Sequence, residues 1–188
     1  MTRDDRPTDP ARRRSLPEDA AIAVVVSQYH RELTEAMAFS AWRELVAAGL
    51  EDDEEHWIVV PAPGAFELPV LADQLLSSHE VSAVLCFGVL IKGETTHDFH
   101  IASAVGHALQ QVALEHDRPV LFGLLTCETL AQARARALPG GRGEVPDKGC
   151  EVARAAIDAV RSMDLAGDEG DPSYWREAKS REESRRRS

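Results

Sequence analysis

Residues 81–91 read VSAVLCFGVLI, and residues 92–97, which follow directly, read KGETTH. The first segment carries no charge and is rich in β-branched and bulky apolar residues. It is too short to cross a membrane, which takes about 18 or more apolar residues, and it lacks the alternation of a half-exposed strand. A strand buried on both faces fits it best. The second segment is polar and contains a glycine, so the chain turns there. Beyond it, Phe99, Ala102, Val105, Leu109 and Val112 recur at three- and four-residue spacing, which predicts a helix over His97 to His116.

The same alternation extends in both directions. Ala21 to Ser27 (AIAVVVS) predicts another buried strand. Arg31 to Ala48 predicts a helix with Met37, Ala38, Ala41, Leu45 and Ala48 on one face and Gly49 just past its end. Trp57 to Pro61 predicts a strand, and Phe66 to Ser77 a helix with Pro69 in its first turn. Pro119 to Leu125 predicts a fourth strand, Glu128 to Ala137 a short helix, and Gly149 to Met163 a last helix. Apolar strands alternating with helices imply a parallel sheet covered on both faces. The expected fold is therefore α/β, a three-layer α/β/α sandwich on a four-stranded parallel sheet of flavodoxin-like form, spanning residues 20–164.

The 188 residues carry a formal net charge of −11, which argues against general nucleic-acid binding because that needs a basic face. Three cysteines, Cys86, Cys127 and Cys150, make a poor disulfide framework and point to a reducing, cytoplasmic setting. No segment is apolar enough to span a membrane, and residues 1–19 lack the apolar stretch of a secretory signal. Residues 1–19 read as a disordered arm and residues 165–188 as a charged, solvated tail, with Tyr174 and Trp175 as its aromatic residues.

In parallel α/β sheets, ligands bind outside the carboxyl ends of the strands. The loops to inspect are therefore Ser27 to His30, Pro61 to Glu67, Lys92 to His97 and Thr126 to Thr129. In the third, Gly93 lets a ligand approach the backbone, and the helix start offers free amide groups to an anion such as phosphate. Thr95 and Thr96 suit either helix capping or a ligand. His97 can exchange protons near neutral pH, or it is an ordinary surface histidine. Pro61 to Pro69 (PAPGAFELP) forms a stiff turn. Arg134, Arg136 and Lys148 read either as solvated cations or as phosphate ligands. No metal-ligand set is evident: His97 and His100 lack a third partner.

Together these segments resemble the 6,7-dimethyl-8-ribityllumazine synthase family, the β-subunit type of the riboflavin synthase system. The resemblance runs from Ala21 to Met163. It is carried by residues 63–69 (PGAFELP), 91–97 (IKGETTH), 119–126 (PVLFGLLT), Glu128-Thr129 with Gln132-Ala133, and Asp147-Lys148-Gly149. It implies a transferase that condenses 5-amino-6-ribitylamino-uracil with 3,4-dihydroxy-2-butanone 4-phosphate, without metal or redox cofactor. It further implies that His97 is the acid–base residue, and that Gly93, Glu94, Thr95, Thr96 and Arg136 hold the phosphate; Arg134 is out of register. Tyr29, Ala65, Phe66, Glu67, Val89 and Ile91 would contact the pyrimidine and ribityl chain. Phe122 would reach the site from a neighbouring subunit, and Lys148 from its own or a neighbouring one.

The implied partners are small-molecule substrates, further copies of the chain in a homopentamer or decamer, and a riboflavin synthase, with no nucleic acid and no membrane. Two departures stand out. Asp98 precedes Phe99 where the family has the aromatic residue first, and Tyr29 replaces Phe or Trp. The segment Leu138 to Asp147 (LPGGRGEVPD) is longer than in sixty-subunit shells and predicts a free pentamer or a pair of pentamers. Three rival functions are a lumazine- or flavin-binding module on the same scaffold, an unrelated phosphate-ester lyase or isomerase, and a purely shell-forming protein.

Overall fold

The computed structural model describes residues 15–138, 147–167 and 172–187. Strand β1 (Ile22–Ser27) leads to helix α1 (Arg31–Ala47), and β2 (Trp57–Ala62) to a short 3-10 turn (Ala65–Glu67) and α2 (Leu68–Ser78). Strand β3 (Ala83–Ile91) precedes α3 (His97–His116), and β4 (Val120–Cys127) precedes α4 (Leu130–Ala137), α5 (Lys148–Gly167) and α6 (Pro172–Arg187). The four strands are all parallel, in the order β2-β1-β3-β4. The α/β sandwich is as the sequence predicts, and its strands and helices from β1 to α5 follow in the expected order.

The two central strands are the most apolar ones, for a physical reason. Every residue of β1 is buried, and so is β3 from Ala83 to Val89. Their alternate side chains face opposite layers. Ile22, Val24, Val26, Leu85, Phe87 and Val89 pack with α1, α4 and α5. Ala23, Val25, Val84 and Cys86 pack with α2 and α3. Burying each large aliphatic or aromatic side chain contributes about 1.5–3 kcal/mol, so these two strands anchor both cores. The outer strands are half-exposed. Pro61 fits β2 because an edge strand can spare an N–H from the ladder.

Several expectations change in detail. Phe99 does not belong to the buried stripe of α3; it is 65 % exposed, while Val105, Leu109 and Val112 are buried. The first turn of that helix is exposed or only partly buried, with no core beneath it. Leu16, expected within a disordered arm over residues 1–19, is held in place instead. It is buried in the core, and its N–H donates to the Ala48 carbonyl at 2.9 Å. Residues 1–14 lie outside the described residues. The expected tail contains the end of α5 and the helix α6, where i,i+4 pairs such as Arg186 with Glu182 at 3.0 Å support an exposed helix. The side chains of Tyr174 and Trp175 lie outside the described residues, as do residues 139–146 of the long segment before α5.

Helix α5 lies directly on α1. Gly149, in its first turn, is so close to Met37 that a Cβ there would collide with the Met37 carbonyl group. Backbone cannot yield as a flexible side chain can. Gly149→Ala is therefore expected to cost about 1–3 kcal/mol of stability, seen as a lower urea midpoint with an unchanged m-value. An unchanged midpoint would mean that the two helices are not in backbone contact.

Candidate active site

Strand β2 is reached from β1 on one side, and β3 returns on the other side of β1. The connections at the carboxyl ends of β1 and β3 therefore leave in opposite directions and open a crevice between them. All four loops singled out in the sequence emerge at this end of the sheet.

The turn after β1 is short and well tied. Gln28 N–H donates to the Ala62 carbonyl at 2.8 Å, which extends the ladder with β2. His30 takes a left-handed conformation at φ 54, and its carbonyl accepts from the N–H groups of Leu33 and Thr34. The Thr34 hydroxyl donates to the Ser27 carbonyl at 2.8 Å. This tight entry into α1 leaves Tyr29 70 % exposed, projecting from the strand end.

The stiff turn after β2 comes to meet it. A Cβ built on Gly64 would lie 3.1 Å from the Glu67 carboxylate and 3.6 Å from the Tyr29 ring. Gly64 thus sits beside both side chains, and a larger residue would push into them. Ala65 is buried against Gly88 of β3, since a Cβ on Gly88 would stand 3.5 Å from that of Ala65. Phe66 is turned outward and 63 % exposed. Tyr29, Ala65 and Glu67 are therefore gathered around the strand ends, with Phe66 on the rim. Val89 is buried towards α1 and α5, and Ile91 is partly buried beside it.

The loop from Lys92 to Thr96 is exposed throughout. Its base is fixed, because Lys92 N–H donates to the Cys127 carbonyl at 2.9 Å and its ammonium pairs with Glu128 at 3.0 Å. The hydrogen bond to Glu128 and its charge hold the Lys92 ammonium above its ordinary pKa. Thr96 occupies the N-cap of α3 without a side-chain cap hydrogen bond. The first-turn amides of α3 are thus not capped by the Thr96 hydroxyl, as simple capping would require, and they face the same end of the sheet. His97 is exposed at the head of the helix, and Phe99 meets His100 edge-on at 5.7 Å.

Helix α4 behaves differently. Thr129 and Gln132 form a reciprocal capping box, which fixes the helix start. Arg134 pairs with Glu32 at 3.3 Å on the surface. Arg136 is only 15 % exposed and donates to Glu151 of α5 at 2.8 Å, while Lys148 reaches the other oxygen of Glu151 at 3.2 Å. Burial alone would raise the Glu151 carboxyl, but hydrogen bonds and charge from Arg136 and Lys148 outweigh it and hold it below the ordinary range. The Arg136 Nη1 is buried and unpaired among the described residues. Arg136 and Lys148 are brought together, then, but no hydrogen bond or ion pair among the described residues joins either to the loop at 93–97. Glu151 was not singled out in the sequence; the Lys148-to-Glu151 spacing of a first helical turn is the signal that could have found it.

Two other features lie elsewhere. Phe122 is on the β4 edge, half-exposed, next to Gly106 of α3. Glu51, Asp53 and His56 place ligand-type atoms within 4.8 Å of one another on the loop between α1 and β2. There Asp53 accepts from the His56 ring at 2.7 Å and from the N–H groups of Glu55 and His56, so it serves as a loop cap.

The sequence pattern of the 6,7-dimethyl-8-ribityllumazine synthase family matches residues 19–164. The chain belongs to that family. Among its lumazine synthase relatives, a 6,7-dimethyl-8-ribityllumazine synthase of Frankia casuarinae is 41% identical over 149 residues, covering 78% of this chain and 89% of the relative. That of Coxiella burnetii is 39% identical over 142 residues, covering 76% and 90%. That of Rhodopirellula baltica is 38% identical over 140 residues, covering 74% and 86%. The matched span of the lumazine synthase pattern takes in every strand and the helices α1 to α4, with nearly all of α5.

The gathering of both cations by Glu151 has a pH signature. A carboxyl held below its unfolded pKa stabilises the fold above that value, and the contribution is lost as pH falls through the lowered one. Glu151→Gln is therefore expected to lower the thermal midpoint at pH 7, with the difference from the parent protein shrinking as pH falls below the ordinary glutamate range and gone once it has passed the lowered value. A difference that persists unchanged into acid would show that charge pairing is not its origin.

Proposed function

We propose that the chain condenses 5-amino-6-ribitylamino-uracil with 3,4-dihydroxy-2-butanone 4-phosphate to give 6,7-dimethyl-8-ribityllumazine, a step of riboflavin synthesis in the cytoplasm. The observation that carries this is the convergence of family motifs from separate segments, around Tyr29, Gly64 to Glu67 and Lys92 to His97, on one end of the sheet.

The chemistry asks for proximity, proton transfer and a phosphate site. The uracil amine adds to the ketone carbonyl and water leaves, forming an imine. A proton is then removed from carbon and inorganic phosphate departs. The enol left behind takes up a proton at its terminal carbon and becomes a ketone, and the ribitylamino nitrogen closes the ring on that new carbonyl, with loss of a second water. The Tyr29 ring stacks on the pyrimidine, and Ala65, Phe66 and Glu67 meet the ring edge and ribityl chain, with Val89 and Ile91 at the strand ends below. The Gly93 to Thr96 amides and the uncapped start of α3 hold the phosphate. His97, next to them, moves protons to and from the reacting atoms.

The cations belong to the same scheme through a second copy. Within one chain the strand-end site is open, with Tyr29, Phe66 and His97 exposed, whereas a substrate pocket buries most of its ligand. Exposed apolar residues on both sheet edges, Val59 with Phe39 on one and Phe122 on the other, suit contacts between copies in a ring. In such a ring Phe122, Arg136 and Lys148 of one copy complete the site of the next, in a pentamer or a pair of pentamers. Riboflavin synthase, which uses the product, is the partner enzyme expected beside it.

Mixing the protein with both substrates and following lumazine absorbance tests this. Wild type should exceed the spontaneous rate. His97→Ala should lose about 100-fold or more in kcat. Arg136→Ala should raise KM for the butanone phosphate by about tenfold or more, as for a lost charged hydrogen bond. Binding of lumazine with no acceleration would replace the synthase by a binding module.

A further inference from the structure

The first turn of α5 is fastened to α1 at several points that share no atoms. The Asp147 carboxylate, largely buried just before the helix, accepts from the Cys150 N–H at 3.1 Å and from the Ser40 hydroxyl at 2.8 Å, one bond to each oxygen. The Asp147 carbonyl accepts from the Glu151 N–H at 3.0 Å. Glu44 of α1 takes the Cys150 thiol at 3.2 Å and Arg154 at 2.7 Å. Gly149 rests on the Met37 backbone.

These contacts do different things. The glycine contact sets how close the helices lie, but a smooth contact leaves α5 free to turn about its axis. The Ser40 bond lies off that axis, and it joins residues 107 positions apart, so it resists that rotation. Lys148 and Glu151 belong to the same turn as Asp147, and Glu151 is the carboxylate that gathers Arg136 and Lys148. Turning α5 would carry Glu151 away from Arg136, which sits on a different helix.

We propose that Asp147, clasped by Ser40, is a positioning residue for the Arg136–Lys148 pair: it fixes the rotation of α5 and thereby the phosphate-binding geometry of these two cations. This rests on the function proposed above. Capping alone asks little of the residue, since Ser, Thr or Asn would cap as well. What distinguishes Asp147 is that both carboxylate oxygens are engaged, one by its own helix and one by α1. A displacement near 1 Å in a positioning group is enough to cost up to about 10²-fold in a site.

The test uses the full chain with Ser40→Ala, Asp147→Ala and Asp147→Asn. Inorganic phosphate affinity is measured by calorimetry, and KM and kcat with each substrate. Ser40→Ala and Asp147→Ala should weaken inorganic phosphate binding and raise KM for the butanone phosphate by about three- to tenfold. The KM for the ribitylamino-uracil and the kcat should stay within about twofold. Asp147→Asn should restore most of the loss, because the amide oxygen can still cap Cys150 and the amide N–H can donate to Ser40. A lower thermal midpoint with unchanged phosphate affinity in both Ala variants would make the clasp merely structural and overturn the inference. So would equal losses for both substrates. Should the wild type bind phosphate but form no lumazine, and Asp147→Ala lose that binding, the proposed function fails while the role of Asp147 stands.

Discussion

The parallel pairing of β1 with β3, from Ile22 opposite Ala83 to Val26 opposite Phe87, sets the frame on which everything else hangs. Both strands are buried on both faces, so they must occupy the middle of the sheet, and the chain must leave them in opposite directions to place β2 and β4 outside. That requirement creates the crevice at their carboxyl ends. The turn after β1 carries Tyr29 into it, and the loop after β3 carries the uncapped start of α3. The stiff turn after β2 closes over Gly88 with Ala65 and stands beside Tyr29 through Gly64. Site geometry is thus a consequence of where the most apolar strands have to lie.

Charge is managed locally in an acidic chain. With a net charge of −11, the protein repels anions at long range, so a phosphate site needs focused positive charge. In the proposed function the uncapped amides at the head of α3 supply one part. Arg136 and Lys148, drawn together on Glu151, would supply the other from the layer of α1, α4 and α5, across the sheet from α3. In a single chain these parts do not meet among the described residues. Glu151 keeps two neighbouring cations from repelling each other apart, and the clasp on α1 keeps Glu151 in place. An anion arriving from another copy would find the pair already arranged, at little ordering cost.

Much of this was legible in the sequence because it rests on local patterns. Uninterrupted apolar runs gave the strands, and three-four spacing gave the helices, including the bounds of α3 at His97 and His116. Family motifs located the loops. What escaped depends on contacts between distant residues. Ser40 with Asp147, Glu44 with Cys150 and Arg154, and Gly149 on Met37 leave no periodic trace. Phe99 fell on the apolar spacing of α3 yet faces solvent, because the helix begins beyond the edge of the core. Leu16 looked like part of a loose arm, and one backbone bond to Ala48 with one buried side chain ties it down.

In the proposed function the site is completed between two copies: His97 and the α3 loop from one, Arg136 and Lys148 from the next. Co-expressing His97→Ala with Arg136→Ala subunits in equal amounts, and purifying the mixed assemblies, tests it most directly. If the two residues serve one site from different copies, random mixing rebuilds an intact pair at roughly a quarter of interfaces, and lumazine formation should recover to about that fraction of wild type. If the mixture is no more active than the two variants assayed apart, His97 and Arg136 do not work across copies, and the shared site is wrong.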